Sequence, residues 1–167
     1  AHAADAAGDA AAAARAANAK LLDELAPGLN AEERAFAEQV DVAHIFKGDA
    51  DGGLHWTPGE GTFDGVEVRA VKPPKPNSTW RAEVTIDGVT KESTMFPREW
   101  SPEDVLRAIK EARANGEAAN AVRAGNLPGT KVITGESRGI KIRIVVDEDS
   151  GRVITANPSQ AGKAFTP

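Results

Sequence analysis

A hairpin pattern at residues 80–96, WRAEVTIDGVTKESTMF, organises the predicted fold of this chain. Apolar and polar side chains alternate over residues 80–86, as in a strand with one buried face. Asp87-Gly88 favours a tight hairpin turn, after which the alternation resumes. In the second strand one face holds Lys91, Ser93 and Met95, and the other holds Thr90, Glu92, Thr94 and Phe96. With the alternating stretch at residues 66–71, the hairpin predicts a three-stranded meander.

The N-terminal end of the chain predicts a helix. Thirteen of the first nineteen residues are alanine, the best helix former, and the pattern ends at Pro27-Gly28. We interpret residues 1–29 as an Ala-rich linker helix and residues 30–167 as the functional domain. Because the chain starts without methionine and inside a helical pattern, we expect it to be a piece of a longer protein.

Further elements are predicted on both sides of the meander. Asn30 with Glu33 forms a capping-box pattern, and Ser101-Pro102 is a second helix start. Residues 47–65 are rich in Gly, Asp and Pro and predict a long loop. A second small sheet is predicted from strands at residues 131–134, 140–146 and 152–156. Helices, a meander, a helix and a second sheet together indicate the α+β class.

Composition limits the functions that this chain can have. Its 167 residues suit one ordinary domain with an appendage, and the absence of cysteine excludes disulfides and thiol catalysis. No apolar run predicts a membrane span. Residues 1–43 hold eight acids and three bases, which accounts for the net charge of −5, and the remainder balances at seventeen of each. A neutral domain does not predict a cationic face for duplex DNA, so local engagement of RNA fits better.

Two histidines and one lysine are the candidate catalytic residues: His44, His55 and Lys91. RNA carries its own nucleophile, the ribose 2′-hydroxyl, so its cleavage needs a general base, a general acid and a cation near the phosphorane. Histidine suits the first two roles because its ordinary pKa of about 6.5 lets it exchange protons near neutrality. Lysine suits the third role. We therefore predict RNA cleavage that needs no metal and no cofactor.

The sequence around these residues resembles the bacterial EndoU nuclease domain. Its most specific string is KESTMFPREWS at residues 91–101, where a lysine precedes a Ser-Thr-x-Phe-Pro element with Trp-Ser beyond it. His44 precedes a glycine-containing loop and His55 follows a Gly-Gly pair. Residues 155–158 are Thr-Ala-Asn-Pro, similar to the closing Thr-Ala-x-Pro of the family. The resemblance extends over roughly residues 40–158, in the family's order.

The resemblance implies an EndoU-like, RNase A-like fold: N-terminal helices followed by two small antiparallel β subdomains with a central cleft. It implies an endoribonuclease that leaves 2′,3′-cyclic phosphate ends on tRNA or other accessible single-stranded RNA. His44 and His55 would share the acid and base roles, in an order left open, and Lys91 would stabilise the phosphorane.

The resemblance also implies a biological setting. Bacterial members commonly form the toxic tip of an exported protein used against competing cells. We therefore expect secretion or translocation into the cytoplasm of a target cell, a cognate immunity protein in the producer, no membrane partner and a monomeric state.

Five further residues are candidates for substrate binding. Thr155 is at the position of a hydroxyl that contacts the nucleotide in the family, and Ser93 or Thr94 would assist from the neighbouring strand. Asn157 stands where many relatives carry a tyrosine, and the chain contains no tyrosine, so we expect a looser base preference than strict uridylate. Trp56 would supply a ring instead, since base stacking contributes about 1–3 kcal/mol.

Three alternatives compete with this interpretation. His44 and His55 with Asp49 and Asp51 could hold zinc or manganese, although no third histidine is nearby to complete a catalytic set. A catalytically weak relative could serve as an RNA- or protein-binding module. An ADP-ribosyltransferase is a third possibility, but the chain shows no convincing Glu-x-Glu element.

Overall fold

The computed structural model describes residues 2–49, 52–119 and 128–159 and confirms the α+β class, with N-terminal helices before two small antiparallel sheets. The first half comprises α1 His2–Leu25, α2 Ala31–Ala37, α3 Val42–Phe46, β1 Gly61–Phe63, β2 Val66–Ala70, β3 Trp80–Ile86 and β4 Val89–Met95. The second half comprises α4 Pro102–Asn115, β5 Glu117–Ala119, β6 Thr130–Ser137, β7 Ile140–Asp147 and β8 Val153–Pro158.

Both predicted helix starts are confirmed by their caps. At α2 the Asn30 side chain accepts from the N–H of Glu33 at 2.8 Å, and the Glu33 carboxylate accepts from the N–H of Asn30 at 2.9 Å. At α4 Ser101 and Asp104 make the same reciprocal pair. Each pair satisfies two backbone donors that have no partner inside the helix.

The first sheet has the order β1-β2-β3-β4 and is antiparallel throughout. Its hairpin pairs Ile86 with Val89, and both Asp87 (φ 50°) and Gly88 (φ 77°) have the left-handed backbone of the predicted tight turn. The sheet has four strands where a three-stranded meander was predicted, because β1 lies inside the stretch predicted as loop. β1 has only three residues and no buried position, so its sequence shows no alternation.

The second sheet has the order β5-β6-β7-β8 and packs against α4. Its central strand β7 points Ile140, Ile142 and Ile144 into the main core. Helix and sheet approach closely at Gly135 on β6, where an added Cβ would overlap the carbonyl of Ala112. This sheet too gains an unpredicted three-residue strand, β5.

The N-terminal part of the chain packs against α3 and helps to position it. α2 ends at Ala37, and Val40, just beyond it, forms a bridge to Val153 of β8. On α1, Leu22 is fully buried, and the buried Asn18 accepts a hydrogen bond from the N–H of Val42 at 3.1 Å. The end of α1 therefore packs against the element that carries His44. The division of the chain at residue 29 stays a prediction.

Across the residues that the structure describes, no helix combines the length and apolar character needed to cross a membrane.

We expect Asn18→Ala to lower the free energy of unfolding by about 1–3 kcal/mol, because the buried N–H of Val42 loses its acceptor. Urea denaturation measures this change. Lys20→Ala, at an exposed position of the same helix, is the control and should stay within about 0.5 kcal/mol of the parent. Equal stability of the two variants would contradict a stabilising role for the hydrogen bond from Val42 to Asn18.

Candidate active site

His44 is held on α3, a five-residue helix that the sequence did not predict. Asp41 caps this helix, since its carboxylate accepts from the N–H of His44 at 3.2 Å. Asn18 satisfies a second free donor of the same turn. His44 is partly buried, and its helix is held by polar contacts from its own cap, Asp41, and from Asn18 on α1.

His55 is placed by backbone hydrogen bonds to α3. The N–H of Leu54 donates to the carbonyl of His44 at 2.8 Å, and the N–H of His55 donates to the carbonyl of Ile45 at 2.7 Å. Gly53 has φ 87°, and a Cβ there would overlap the carbonyl of His44, so this close approach requires glycine. The two imidazole rings lie 6.3 Å apart between centroids, at an angle of 51°.

Leu54, between Gly53 and His55, has the uncommon backbone value of φ 64° for a leucine. Its side chain is buried in the core of the first sheet, together with Trp80 and Met95. A left-handed conformation at a non-glycine residue costs free energy and persists only where the surroundings hold it. The apolar anchor therefore holds the turn that presents His55.

Strand β4 supplies the next contacts. The N–H of Phe96 donates to the carbonyl of His55 at 2.8 Å. The Nδ1 of His55 lies 2.8 Å from the carbonyl oxygen of Thr94 and 3.1 Å from the Oγ of Ser93. The Nζ of Lys91 donates to the carbonyl of Gly53 at 3.2 Å. The predicted catalytic residues His44, His55 and Lys91 are thus gathered around one turn.

The surroundings lower the pKa of both histidines. Burial lowers the pKa of His55 to about 4; the hydrogen bond to Thr94 opposes this, while the charges of His44 and Lys91 add to it. Burial also lowers the pKa of His44, while Asp41 and Asp49 raise it and Lys91 lowers it. Lys91 is therefore close enough to act electrostatically on both rings.

The contacts of His55 determine which ring nitrogen carries its proton. A carbonyl oxygen can only accept, so the 2.8 Å contact with Thr94 requires a hydrogen on Nδ1. In the neutral ring, Nε2 then holds the lone pair. This arrangement can take up a proton at Nε2 beside a second imidazole and an ammonium group.

The predicted substrate-binding residues fall in different places. Ser93 is buried, with its hydroxyl donating to the carbonyl of Leu54 at 2.6 Å. Asn157 donates from Nδ2 to the Oγ1 of Thr94 at 3.1 Å, which joins β8 to β4 across the two sheets. The Oγ1 of Thr155 is buried and has no hydrogen-bond partner among the described residues. An unsatisfied buried hydroxyl calls for an explanation. A nucleotide contact by Thr155 stays a prediction.

Trp56 is held mainly by packing. Its Nε1 donates to the carbonyl of Trp100 at 2.9 Å, and its ring meets Phe46 edge-on, with centroids 6.0 Å apart. It also lines an apolar pocket with Phe63, and the walls of that pocket include neither His44 nor His55. Base stacking on Trp56 stays a prediction.

Within residues 2–49, 52–119 and 128–159, no group of three or more His, Asp or Glu side chains is arranged to hold a metal ion. The metal alternative also invoked Asp51, which lies outside the described residues.

Several contributors to the site were missed from the sequence. Asp41 carried a detectable signal, since an aspartate three residues before His44 fits the cap of a short helix. Asp49 was considered only as a metal ligand, yet its charge raises the pKa of His44. The carbonyls of Gly53 and Thr94 carry no sequence signal, because every residue has a carbonyl.

In a comparison with protein-family models, the model described as bacterial EndoU nuclease matches residues 38–160. These residues contain every candidate site residue and both sheets. Comparisons with curated proteins and with solved structures found no match.

The depressed pKa of His55 predicts a stability change with pH. Between about pH 6.5 and pH 4 the unfolded chain binds a proton at this residue and the folded protein does not, so stability falls as the pH is lowered through that window. Because the ring keeps some contact with solvent, we expect a loss on the order of 2 kcal/mol from this group.

Urea unfolding at pH 7, 5.5 and 4 would measure this loss in the parent and in His55→Asn. Asparagine can still donate to the carbonyl of Thr94 but does not titrate, so the parent should lose more stability on acidification than the variant. Identical pH dependence in the two proteins would contradict a depressed pKa at His55.

Proposed function

Because this chain belongs to the bacterial EndoU nuclease family, we propose that it is a metal-independent endoribonuclease in which His44, His55 and Lys91 catalyse attack of the ribose 2′-hydroxyl on the adjacent phosphate. One observation carries the proposal. The two imidazole rings are 6.3 Å apart, and the charge of Lys91 acts on both of them. A base, an acid and a cation are thus available around a single phosphate.

His55 is the general base. With Nδ1 engaged by the carbonyl of Thr94, its Nε2 holds a lone pair, and its lowered pKa keeps the ring neutral at pH 7. This nitrogen takes the proton of the 2′-hydroxyl as the bond from O2′ to phosphorus forms. The negative phosphodiester raises the pKa of a nearby imidazole, which improves its strength as a base in the complex.

His44 is the general acid. Burial and the charge of Lys91 lower its pKa, but the carboxylates of Asp41 and Asp49 oppose that shift, whereas the charges that act on His55, those of His44 and Lys91, both disfavour protonation. The imidazolium of His44 gives its proton to the 5′-oxygen as the bond from phosphorus to that oxygen breaks. The products are a 2′,3′-cyclic phosphate and a free 5′-hydroxyl.

Lys91 stabilises the charge that accumulates on the phosphorane oxygens. Its Nζ is oriented by the carbonyl of Gly53 at 3.2 Å, in the turn that leads to His55. A cation held in place beforehand stabilises the transition state without reorganising as the charge develops.

The substrate and the biological role are proposed on the resemblance and on the sequence. We propose tRNA or another accessible single strand as the target, since the near-neutral domain provides only local positive charge. With Asn157 in place of a ring, the base preference should be loose. The setting is a translocated, monomeric toxin domain with a cognate immunity protein.

We expect the purified protein to cleave total bacterial RNA in EDTA and to leave 2′,3′-cyclic phosphate ends. His44→Ala and His55→Ala should each lower the rate about 100-fold to 10,000-fold, because each removes a proton-transfer group. Lys91→Ala should lower it about 100-fold to 1,000-fold. Denaturing gels report cleavage, and end-specific enzymatic labelling identifies the new termini.

Lys72→Ala is the matched control for Lys91→Ala, since it removes an exposed lysine that follows β2 of the same sheet. It should cleave RNA at the parental rate. Full activity of both histidine variants would contradict the proposal. RNA that is bound but left intact by the parent would favour the binding-module alternative.

A further inference from the structure

Ser93 was predicted to assist substrate binding, yet its hydroxyl faces inward. The residue is 6% exposed and lies at the centre of β4. Its Oγ donates to the carbonyl of Leu54 at 2.6 Å and lies 3.1 Å from the Nδ1 of His55. Both contacts belong to the turn that carries His55, and neither leaves the hydrogen of the hydroxyl available to a nucleotide.

The hydrogen-bonding roles at Ser93 follow from its partners. The carbonyl of Leu54 can only accept, so the hydroxyl hydrogen of Ser93 points there. The oxygen of Ser93 then presents lone pairs to the Nδ1 of His55, which already carries a hydrogen for the carbonyl of Thr94. Nδ1–H is therefore shared between two acceptors, and both are supplied by β4.

We propose that Ser93 is a positioning residue that holds His55 in its Nδ1–H tautomer and fixes the left-handed turn at Leu54. This inference rests on the proposed function, because it concerns the orientation of the general base. With the hydroxyl in place, Nε2 of His55 keeps the lone pair that accepts the proton of the 2′-hydroxyl. Without it, the ring keeps one acceptor at Nδ1, and the carbonyl of Leu54 loses its side-chain donor.

The titratable groups around His55 come from two elements. His44 faces His55 from α3, and Lys91 acts on His55 from β4. Neither is changed by substitution of Ser93, so a change in the tautomer of His55 would report on the hydroxyl itself.

The test compares the parent, Ser93→Ala and Ser93→Cys by nitrogen NMR of the histidine side chains and by steady-state cleavage of a short RNA. The parent should show His55 as the Nδ1–H tautomer at pH 7. Ser93→Ala should show a measurable fraction of the Nε2–H form and a kcat lowered about tenfold, with KM within about twofold of the parental value. Ser93→Cys, with a similar shape and a weaker acceptor, should fall between them.

Thr90→Ala is the matched control. It removes an exposed hydroxyl from the same strand, one that is paired with Thr85 across the hairpin at 2.8 Å. It should leave the tautomer of His55 and both kinetic constants unchanged. Thermal unfolding of each variant separates an effect on His55 from loss of the fold.

Three results would overturn the inference. One is a parental His55 in the Nε2–H form. Another is a Ser93→Ala variant with unchanged tautomer and kcat. The last is a Ser93→Ala variant in which KM rises and kcat is unchanged, since that result would indicate that Ser93 binds substrate. The NMR measurement needs no catalysis, so it tests Ser93 even if the parent does not cleave RNA and the proposed function fails.

Discussion

The candidate active site depends on two backbone hydrogen bonds that join residues 54–55 to residues 44–45. The N–H of Leu54 donates to the carbonyl of His44 at 2.8 Å. The N–H of His55 donates to the carbonyl of Ile45 at 2.7 Å. Because these bonds connect the residues themselves, the main chain that carries the two imidazoles is held together directly. Glycine at position 53 is required, since any side chain there would meet the carbonyl of His44.

The rest of the fold serves to hold this pair against β4. The first sheet anchors the turn through the buried side chain of Leu54, and β4 contributes Lys91 and the acceptors for Nδ1 of His55. The second sheet meets the same strand through Asn157 and Thr94. Acidic charge is concentrated in residues 1–43. Two carboxylates, those of Asp41 and Asp49, act on His44, and both favour its protonated form. Burial lowers the pKa of both histidines, and at His44 these two carboxylates oppose the shift.

Elements with a local signal were predictable from the sequence. The Asp87-Gly88 turn, the alternation of β3 and the caps at Asn30 and Ser101 depend on residues a few positions apart, and each was found where expected. The short elements α3, β1 and β5 were not predicted. With three to five residues they show no period, and they depend on partners distant in the sequence.

In the candidate site, too, some features could be predicted from the sequence and others could not. The identities of His44, His55 and Lys91 followed from the chemistry of RNA cleavage and from the family resemblance. Which histidine would act as the acid and which as the base could not be predicted, because that assignment depends on the groups that surround each ring. Ser93 illustrates the difference: its hydroxyl suggested substrate binding, whereas its contacts point to His55.

Attack by the ribose 2′-hydroxyl is the central claim, and a chemically blocked substrate tests it most directly. A single-stranded RNA and its fully 2′-O-methylated counterpart would be incubated in EDTA with the parent and with His44→Ala. We predict that the parent cuts the RNA and leaves the methylated strand intact. His44→Ala should cut neither strand at a rate comparable with that of the parent on the RNA. Cleavage of the methylated strand by the parent would contradict the claim, because that strand has no 2′-hydroxyl to act as the nucleophile.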